Sequence, residues 1–376
     1  MSELTPEKFF IRDAWYVVAW PHEVTSDKPL ARTVLGDDLV LFRTPEGQAV
    51  ALEDRCAHRL APLSMGRIES GGIRCMYHGV KFSVTGQCAE IPAQPAGHPN
   101  MCVKHYPLVE KDGFIWVWMG NATLADPSQV MDAPWHSDPR WAPSRGYLHV
   151  KAHMGLVADN LLDFGHLPFV HPNTVGAVEQ AAFATEVKPL ADGVLTDRWY
   201  VDVPASRFHQ SVGNFKGNVD AWHCFRWHLP AVMSLDSGSA PTGTGAREKA
   251  HGTREGAIEF HHIAALTPQD GDHTHYFWVH WRNFDVQDPA MTQTVYDNIM
   301  MAFSEDKAMV EAQHAAVRRG SHTAPKAIMA DKALTMIRHQ VAKRATGASG
   351  ASHHASRITH HLIPSQYVIT KTKETI

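Results

Sequence analysis

Two short runs of this sequence each pair a thiol with an imidazole. Cys56-Ala57-His58 is followed, after sixteen residues, by Cys75-Met76-Tyr77-His78. Within each run Cys and His stand two or three residues apart, so one turn can aim both at a single centre. Two cysteines on one iron and two histidines on the other form the ligand set of one type of [2Fe–2S] cluster. A zinc site uses the same ligand types, but it usually pairs Cys with Cys and His with His. Here each run contributes one of each, which favours iron–sulfur. Gly66, Gly71, Gly72, Gly79 and Gly86 punctuate the stretch, as loops with unusual backbone angles require.

A second constellation lies in Asp159-Asn160-Leu161-Leu162-Asp163-Phe164-Gly165-His166, with His171 five residues on. Asn160, Asp163 and His166 recur every three residues, a spacing that puts them along one face of a helix. His166 and His171 would be separated by ~140° on an ideal helix. They meet at one atom only if the helix ends between them, and Gly165, Pro168 and Pro172 supply such an ending. A 2-His-1-carboxylate triad, which leaves positions on iron open to dioxygen, needs one carboxylate more. Asp306 is the candidate. On a helix over Met291–Arg319 its neighbours within about 60° are Ile299, Ala302, Phe303, Met309 and Val310. An unpaired carboxylate buried in that stripe is costly, and a metal cation removes the cost. Glu305 and Glu311 project elsewhere and read as solvated charges. Taken singly, His166 and His171 would more often be structural or surface residues, and a helical Asp is usually exposed. Their conjunction with the upstream motif reverses that balance.

The elements that must position these residues follow from patterning. Short β-rich runs at Thr33–Leu35, Leu39–Phe42 and Val50–Leu52 precede the Cys/His loops. Gly113-Phe114-Ile115-Trp116-Val117-Trp118 alternates so that both tryptophans share one strand face. Residues 1–120 thus read as an all-β domain with the loops at its tip. Residues 121–345 read as a second domain of antiparallel strands and helices, an α+β fold overall. Its strands fall at Val187–Val203, Trp222–His228, Ala257–Leu266 and His275–Phe284. Ser237–Glu255 reads as a loop without a core signature, and Pro325–Ala345 as a helix with proline at its start. Residues 346–376 read as a flexible extension, beginning with a linker rich in Ala, Gly, Ser and His over Thr346–Ser356.

Composition excludes several classes. The chain has 376 residues, is 44% hydrophobic and 20% charged, and carries a formal charge of -4. No basic excess marks nucleic acid as a partner. Five cysteines, two of them committed to metal, argue against a disulfide scaffold and for a reducing compartment. No basic leader followed by an apolar core opens the chain, and no apolar run approaches the ~20 residues that span a bilayer. The expectation is a cytoplasmic protein with no membrane partner. The 26 histidines identify nothing by count, and most outside the candidate sites, His353, His354, His360 and His361 among them, read as surface residues.

Cys56-Ala57-His58-Arg59, Cys75-Met76-Tyr77-His78-Gly79 and Phe82–Gly86 resemble the Rieske non-haem iron oxygenases, oxygenase-component alpha subunits. Ala57 and Met76 stand where the family often has proline, while all four ligands remain. Trp15–Trp20 resembles the family's N-terminal signature, and Asn160–His171 matches its iron motif position by position. The resemblance covers roughly residues 9–340 and implies a helix-grip-like catalytic domain after the Rieske domain. It implies Cys56, His58, Cys75 and His78 as cluster ligands, and His166, His171 and Asp306 as ligands of mononuclear Fe(II). Asp163 would link cluster and iron across a subunit boundary, with Asn160 beside the iron. Such a bridge implies a head-to-tail homo-oligomer, a trimer in this family.

No Gly-rich dinucleotide fingerprint is present, since Glu248 stands where the third glycine after Gly243 and Gly245 should be. Electrons must then come from NAD(P)H through a separate reductase of flavin or ferredoxin type. Phe9–Tyr16 is similar to the vanillate and dicamba O-demethylase branch. Ser237–Ala246 and Leu161–Pro172 are similar to toluenesulfonate methyl-monooxygenases. The shared reaction is oxygen insertion into a methyl C–H on a substituted aromatic acid, with O-demethylation favoured and aryl-methyl or ring hydroxylation as alternatives. A Rieske electron carrier without its own chemistry is the rival of another class. For the substrate anion, Arg226 and His228 share a strand face with Trp222, and His262 shares one with Phe260 and Ala264.

Overall fold

A computed structural model describes residues 10–349 apart from 93, 95–97, 99, 173, 177–182, 250–252, 321–325, 327 and 329–330. The first domain is three small sheets. β1 (Trp15–Ala19), β11 (Phe114–Trp118) and β10 (Leu108–Lys111) form one, in the order β1-β11-β10. β2 (Leu30–Val34), β3 (Asp37–Arg43), β4 (Ala49–Glu53) and β9 (His105–Tyr106) form the second. β5 (Arg67–Glu69), β6 (Gly72–Arg74), β7 (Lys81–Ser83) and β8 (Cys88–Glu90) form the third. β1 and β11 are buried on both faces, which explains why their sequences are almost wholly apolar. Trp15, Phe114, Trp116 and Trp118 face one core, while Tyr16, Ile115 and Val117 face another that continues into the second domain.

The second domain is one seven-stranded antiparallel sheet. Its strands are β12 (Ala142–Val150), β13 (Glu186–Leu190), β14 (Gly193–Val203), β15 (Val219–His228), β16 (Val232–Pro241), β17 (Ile258–Pro268) and β18 (Thr274–Arg282). They lie in the order β12-β18-β17-β16-β15-β14-β13. Helices α1 (Met154–Leu162), α2 (Leu167–Val170), α3 (Arg207–Gly213), α4 (Pro289–Arg319) and α5 (Lys332–Ser349) complete the domain. Leu156, Leu161, Ile299, Val310 and Ile337 from α1, α4 and α5 share one core with Phe225, Phe260 and Trp278 of the sheet. The opposite face of β17 and β18 packs Ile263, Phe277 and Trp281 against the tryptophans of the first domain. Main-chain bonds from Leu35 to Pro268 and from Gly36 to Gln269, each 2.8 Å, stitch the two domains together.

Three expectations about elements change. Ser237–Pro241 is the end of strand β16, not loop, with Ser237 and Ser239 buried. The residues are small because the Trp222 ring needs the room: a Cβ on Gly238 would lie 2.4 Å from Trp222 and from the Ile258 carbonyl. Val187–Val203 is a hairpin of β13 and β14 rather than one strand. The last helix begins at Lys332, after irregular Lys326 and Ile328, and continues to Ser349, through the first residues assigned to a linker. The remainder of the 346–376 extension, with its four histidines, lies outside the described residues.

Two candidate metal centres

The loops carrying the first centre leave β4 and β6 and share one geometry. The Cys56 N–H donates to the Ala61 carbonyl and the Cys75 N–H to the Val80 carbonyl, each at 2.8 Å. The Cys56 carbonyl accepts from the Leu60 N–H at 2.8 Å and the Cys75 carbonyl from the Gly79 N–H at 3.0 Å. Leu60 and Gly79 therefore hold equivalent positions, and both have positive φ, 59° and 75°. Gly79 adopts this at no steric cost, whereas Leu60 bears the penalty of a side chain. Each turn buries its thiol and exposes its imidazole. Cys56 and Cys75 are 2% exposed, and the His58 and His78 rings lie side by side at the surface with centroids 4.6 Å apart. Burial pushes the Cys56 thiol up, and the adjacent Cys75 adds to the rise. Two adjoining thiols with two adjoining rings outside them suit a two-iron cluster with one deep and one shallow iron.

The second centre is built where α1 stops. Asp163 caps the C-terminus of α1, so Asp163 and His166 do not continue its face as the three-residue spacing suggested. His166 and His171 instead bracket the separate turn α2, with Pro168 in its first turn. Their rings come to 5.2 Å. Asp306, on the buried stripe of α4 with Ile299, Ala302 and Val310, faces them. Its Oδ1 lies 3.0 Å from His171 Nε2 and 3.3 Å from His166 Nε2. One donor atom from each residue lies within 4.8 Å of the others, the grouping of this kind found among the described residues. Asn160 Nδ2 donates to the same Asp306 oxygen at 2.8 Å.

Charge explains why such a cluster is incomplete alone. Burial would raise Asp306, but the two imidazoles outweigh it and bring the carboxyl down to about 2. Burial would lower His171, but Asp306 and Glu305 outweigh it and hold the imidazole above its ordinary value. His166 Nε2 is buried, with Asp306 Oδ1 at 3.3 Å and no hydrogen bond to a described residue. A cation among the three donors satisfies all of them, so the residues fit a mononuclear metal.

Two roles differ from the sequence reading. Glu305 is not a solvated charge, because its Oε2 accepts from His171 Nδ1 at 2.8 Å. This fixes the ring with Nε2 toward Asp306, the orienting contact that ligating histidines require. The main-chain carbonyl of Asp163 orients His166. The Asp163 carboxylate accepts from Gly165 N at 2.7 Å through Oδ1, and Oδ2 accepts from no described residue. The sequence clue to Glu305 was chemical: a buried His171 needs an acceptor for its second nitrogen. Glu311, also read as solvated, accepts from the Lys151 N–H at 2.8 Å.

The three residues assigned to a substrate anion separate. His262 faces α4, with its ring 5.6 Å from Phe303. Arg226 and His228 do share a face with Trp222, but it is the opposite face of the sheet, where Trp222 packs on Trp199, Cys224 and Ala246. Arg226 pairs with Asp192 at 3.1 Å and His228 with Ser234 at 2.9 Å. The inward positions of β15 are those of His223, Phe225 and Trp227. Phe164 beside the second centre touches the first two.

Residues 14–107 match the Rieske [2Fe–2S] domain, and residues 150–347 match the vanillate O-demethylase oxygenase C-terminal domain. The chain belongs to the Rieske non-haem iron oxygenases. It is 42% identical to the toluene-4-sulfonate monooxygenase iron-sulfur subunit of Comamonas testosteroni, over 81% of this chain and 88% of that one. It is 35% identical to a vanillate O-demethylase oxygenase subunit from a Pseudomonas strain, over 81% and 86%. Among solved structures, dicamba monooxygenase bound to dicamba superposes with a TM-score of 0.82 at 32% identity, covering 91% of this chain and 99% of that one. Another structure of that enzyme contains non-haem iron. As a Rieske oxygenase, the chain is the oxygenase component of a multi-component monooxygenase, receives electrons from a reductase, and carries a [2Fe–2S] cluster and mononuclear iron.

Proposed function

We propose that this Rieske oxygenase inserts one oxygen atom into a methyl C–H on an aromatic acid. Cys56, His58, Cys75 and His78 would hold the cluster, and His166, His171 and Asp306 the iron. The observation that carries this reading is the buried triad, its His166 nitrogen held by no hydrogen bond among the described residues, in one chain with the paired thiols and rings. Iron bound there supplies the activation of dioxygen. Glu305 and the Asp163 carbonyl aim the imidazoles, and Asn160 steadies the Asp306 oxygen through its 2.8 Å hydrogen bond.

Asp163 would join the two centres between copies of the chain, in a head-to-tail homotrimer. No hydrogen bond or ring contact links the 56–78 loops to residues 154–171 of the same chain among the described residues. The exposed rings at the cluster tip are collared by exposed Leu60, Met65, Met76 and Tyr77, and exposed Phe169 lies on α2 beside the second centre. Apolar surface of this kind suits a contact between copies, bringing an exposed imidazole to the free oxygen of Asp163.

Vanillate and dicamba relatives favour O-demethylation, which releases formaldehyde and leaves a phenol. The higher identity to the toluenesulfonate enzyme, 42% against 35%, favours a second reading in which an aryl methyl becomes an alcohol. Turnover with a reductase on 4-methoxybenzoate and on 4-toluenesulfonate separates them. Formaldehyde supports the first and a benzylic alcohol the second, whereas a cis-diol from either substrate counts against both.

A further inference from the structure

Helix α1 ends in an unfavourable concentration of charge. Asp159 stands in its last turn, Asp163 caps it, and Asn160 in the same turn bonds Asp306. The C-terminal end of a helix carries about half a negative charge, so a carboxylate there is disfavoured. The last four carbonyls of a helix also lack partners within it, and helix ends fray. Here the Asp163 N–H returns to the Asp159 carbonyl at 3.1 Å and to the Asn160 carbonyl at 3.4 Å. This turn nevertheless has to be well placed. Asn160 steadies Asp306, and the Asp163 carbonyl orients His166.

Helix α5 meets both demands with one side chain. Arg338 Nε donates to Asp159 Oδ1 at 3.1 Å, and a second guanidinium nitrogen donates to Oδ2. Paired N–H bonds from a planar guanidinium fix direction as well as distance. The pair is partly buried, with the Asp159 side chain 16% exposed and that of Arg338 36%. Burial raises the Asp159 carboxyl above its usual range, Asp331 and Asp163 push the same way, and Arg338 opposes all three. The helix is also anchored elsewhere. Ala333, Leu334 and Ile337 lie in the shared core, and Gln340 Nε2 donates to the Leu190 and Gly193 carbonyls at 2.9 and 3.0 Å. An ion pair out of water is in any case weak evidence for stability, since apolar residues of like volume often do as well. What this pair adds is direction at the end of α1.

We propose that Arg338 is a positioning residue for the iron site, holding the last turn of α1 through Asp159 so that His166 and Asp306 stay aimed at the metal. This rests on the triad proposed above as the iron ligands. The path is continuous. Arg338 donates to the Asp159 carboxylate, the Asp163 N–H to the Asp159 carbonyl, and His166 Nδ1 to the Asp163 carbonyl. A branch runs from Asn160 Nδ2 to Asp306 Oδ1 at 2.8 Å.

Iron release to a chelator, thermal midpoint and the cluster's visible spectrum, measured together on the holoenzyme, test the role. Arg338→Met should release iron about tenfold faster or more, as the loss of an orienting partner does, with the cluster spectrum unchanged. Its midpoint should fall, because a carboxylate is left stranded. Adding Asp159→Asn to Arg338→Met removes that charge but does not restore the tie. The midpoint should then recover while iron leaves as fast as from Arg338→Met. Gln340→Met releases the other polar anchor of α5, and should lower the midpoint without changing iron release. Parental iron release in Arg338→Met, or recovery of retention along with the midpoint in the double variant, overturns the positioning role. Release from Gln340→Met as fast as from Arg338→Met overturns it too, by showing that any loosening of α5 suffices. A parent that holds iron no better than His166→Ala would sink the triad, and this role with it.

Discussion

At the scale of the residue, Glu305 and the Asp163 main chain each aim one imidazole of the triad. Glu305 orients His171, and the Asp163 main chain orients His166, while Asp163 Oδ2 accepts from no described residue. Glu305→Ala should lower iron affinity about 10–100-fold, the usual cost of removing such an orienting partner, while leaving the cluster spectrum intact. Unchanged iron retention on chelator challenge would show that the 2.8 Å contact carries no weight. Asp163→Asn should load both metals yet lose turnover by about two orders of magnitude or more, in keeping with an inter-centre role in electron supply. Normal turnover would refute that role. Iron loading also depends on pH with a definite sign. His171 is held above its ordinary value by Asp306 and Glu305, so a proton must leave before metal binds, and retention should strengthen from pH 6 to pH 8. A measured dissociation constant independent of pH over that range would count against the assignment.

At the scale of the element, long patterns were legible and short or small-residue segments were not. Helix α4 came out within two residues at its start because its apolar stripe repeats over many turns, with Asp306 conspicuous inside it. The strand end Ser237–Pro241 was missed because its residues are chosen for the space left by Trp222, a tertiary demand that hydropathy does not record. Restoring bulk tests that explanation. Gly238→Val should destabilise the protein by several kcal/mol, since the new side chain meets both an indole and a backbone carbonyl. A thermal midpoint within a degree of the parent would remove it. The break after α1 was foreseen, but its position was not. The helix ends at Leu162 rather than beside Gly165, so the two imidazoles converge from either end of α2. Arg226 and His228 were correctly placed on a common face, but strand alternation cannot say which face looks at the iron.

At the scale of the whole molecule, histidine content acquires a meaning that the count lacked. His153, His209, His223 and His275 are core or near-core residues. Burial brings the first two down to about 4 and the last two to about 3. Their folded values lie below the unfolded value of about 6.5, so the unfolded chain binds more protons in acid. Stability from these groups is complete above about pH 6.5 and is lost as pH falls toward 3–4, at about 1 kcal/mol per histidine by pH 5.5. The thermal midpoint should therefore drop by several degrees between pH 7.5 and 5.5, and a flat profile would contradict this assignment of the core. The same molecule-wide view joins the domains: the 56–78 loops deliver exposed rings, and the shared core fixes the iron site behind the sheet. Both motifs could be read in sequence, whereas the collar of Leu60, Met65, Met76 and Tyr77 needed the fold. Single turnover of the chemically reduced holoenzyme under labelled dioxygen, with 4-methoxybenzoate or 4-toluenesulfonate, tests the joint action most directly. The expected result is cluster oxidation with one labelled oxygen atom in the product formed from the methyl carbon. Cluster oxidation without such a product, or two labelled atoms on the ring, would contradict it.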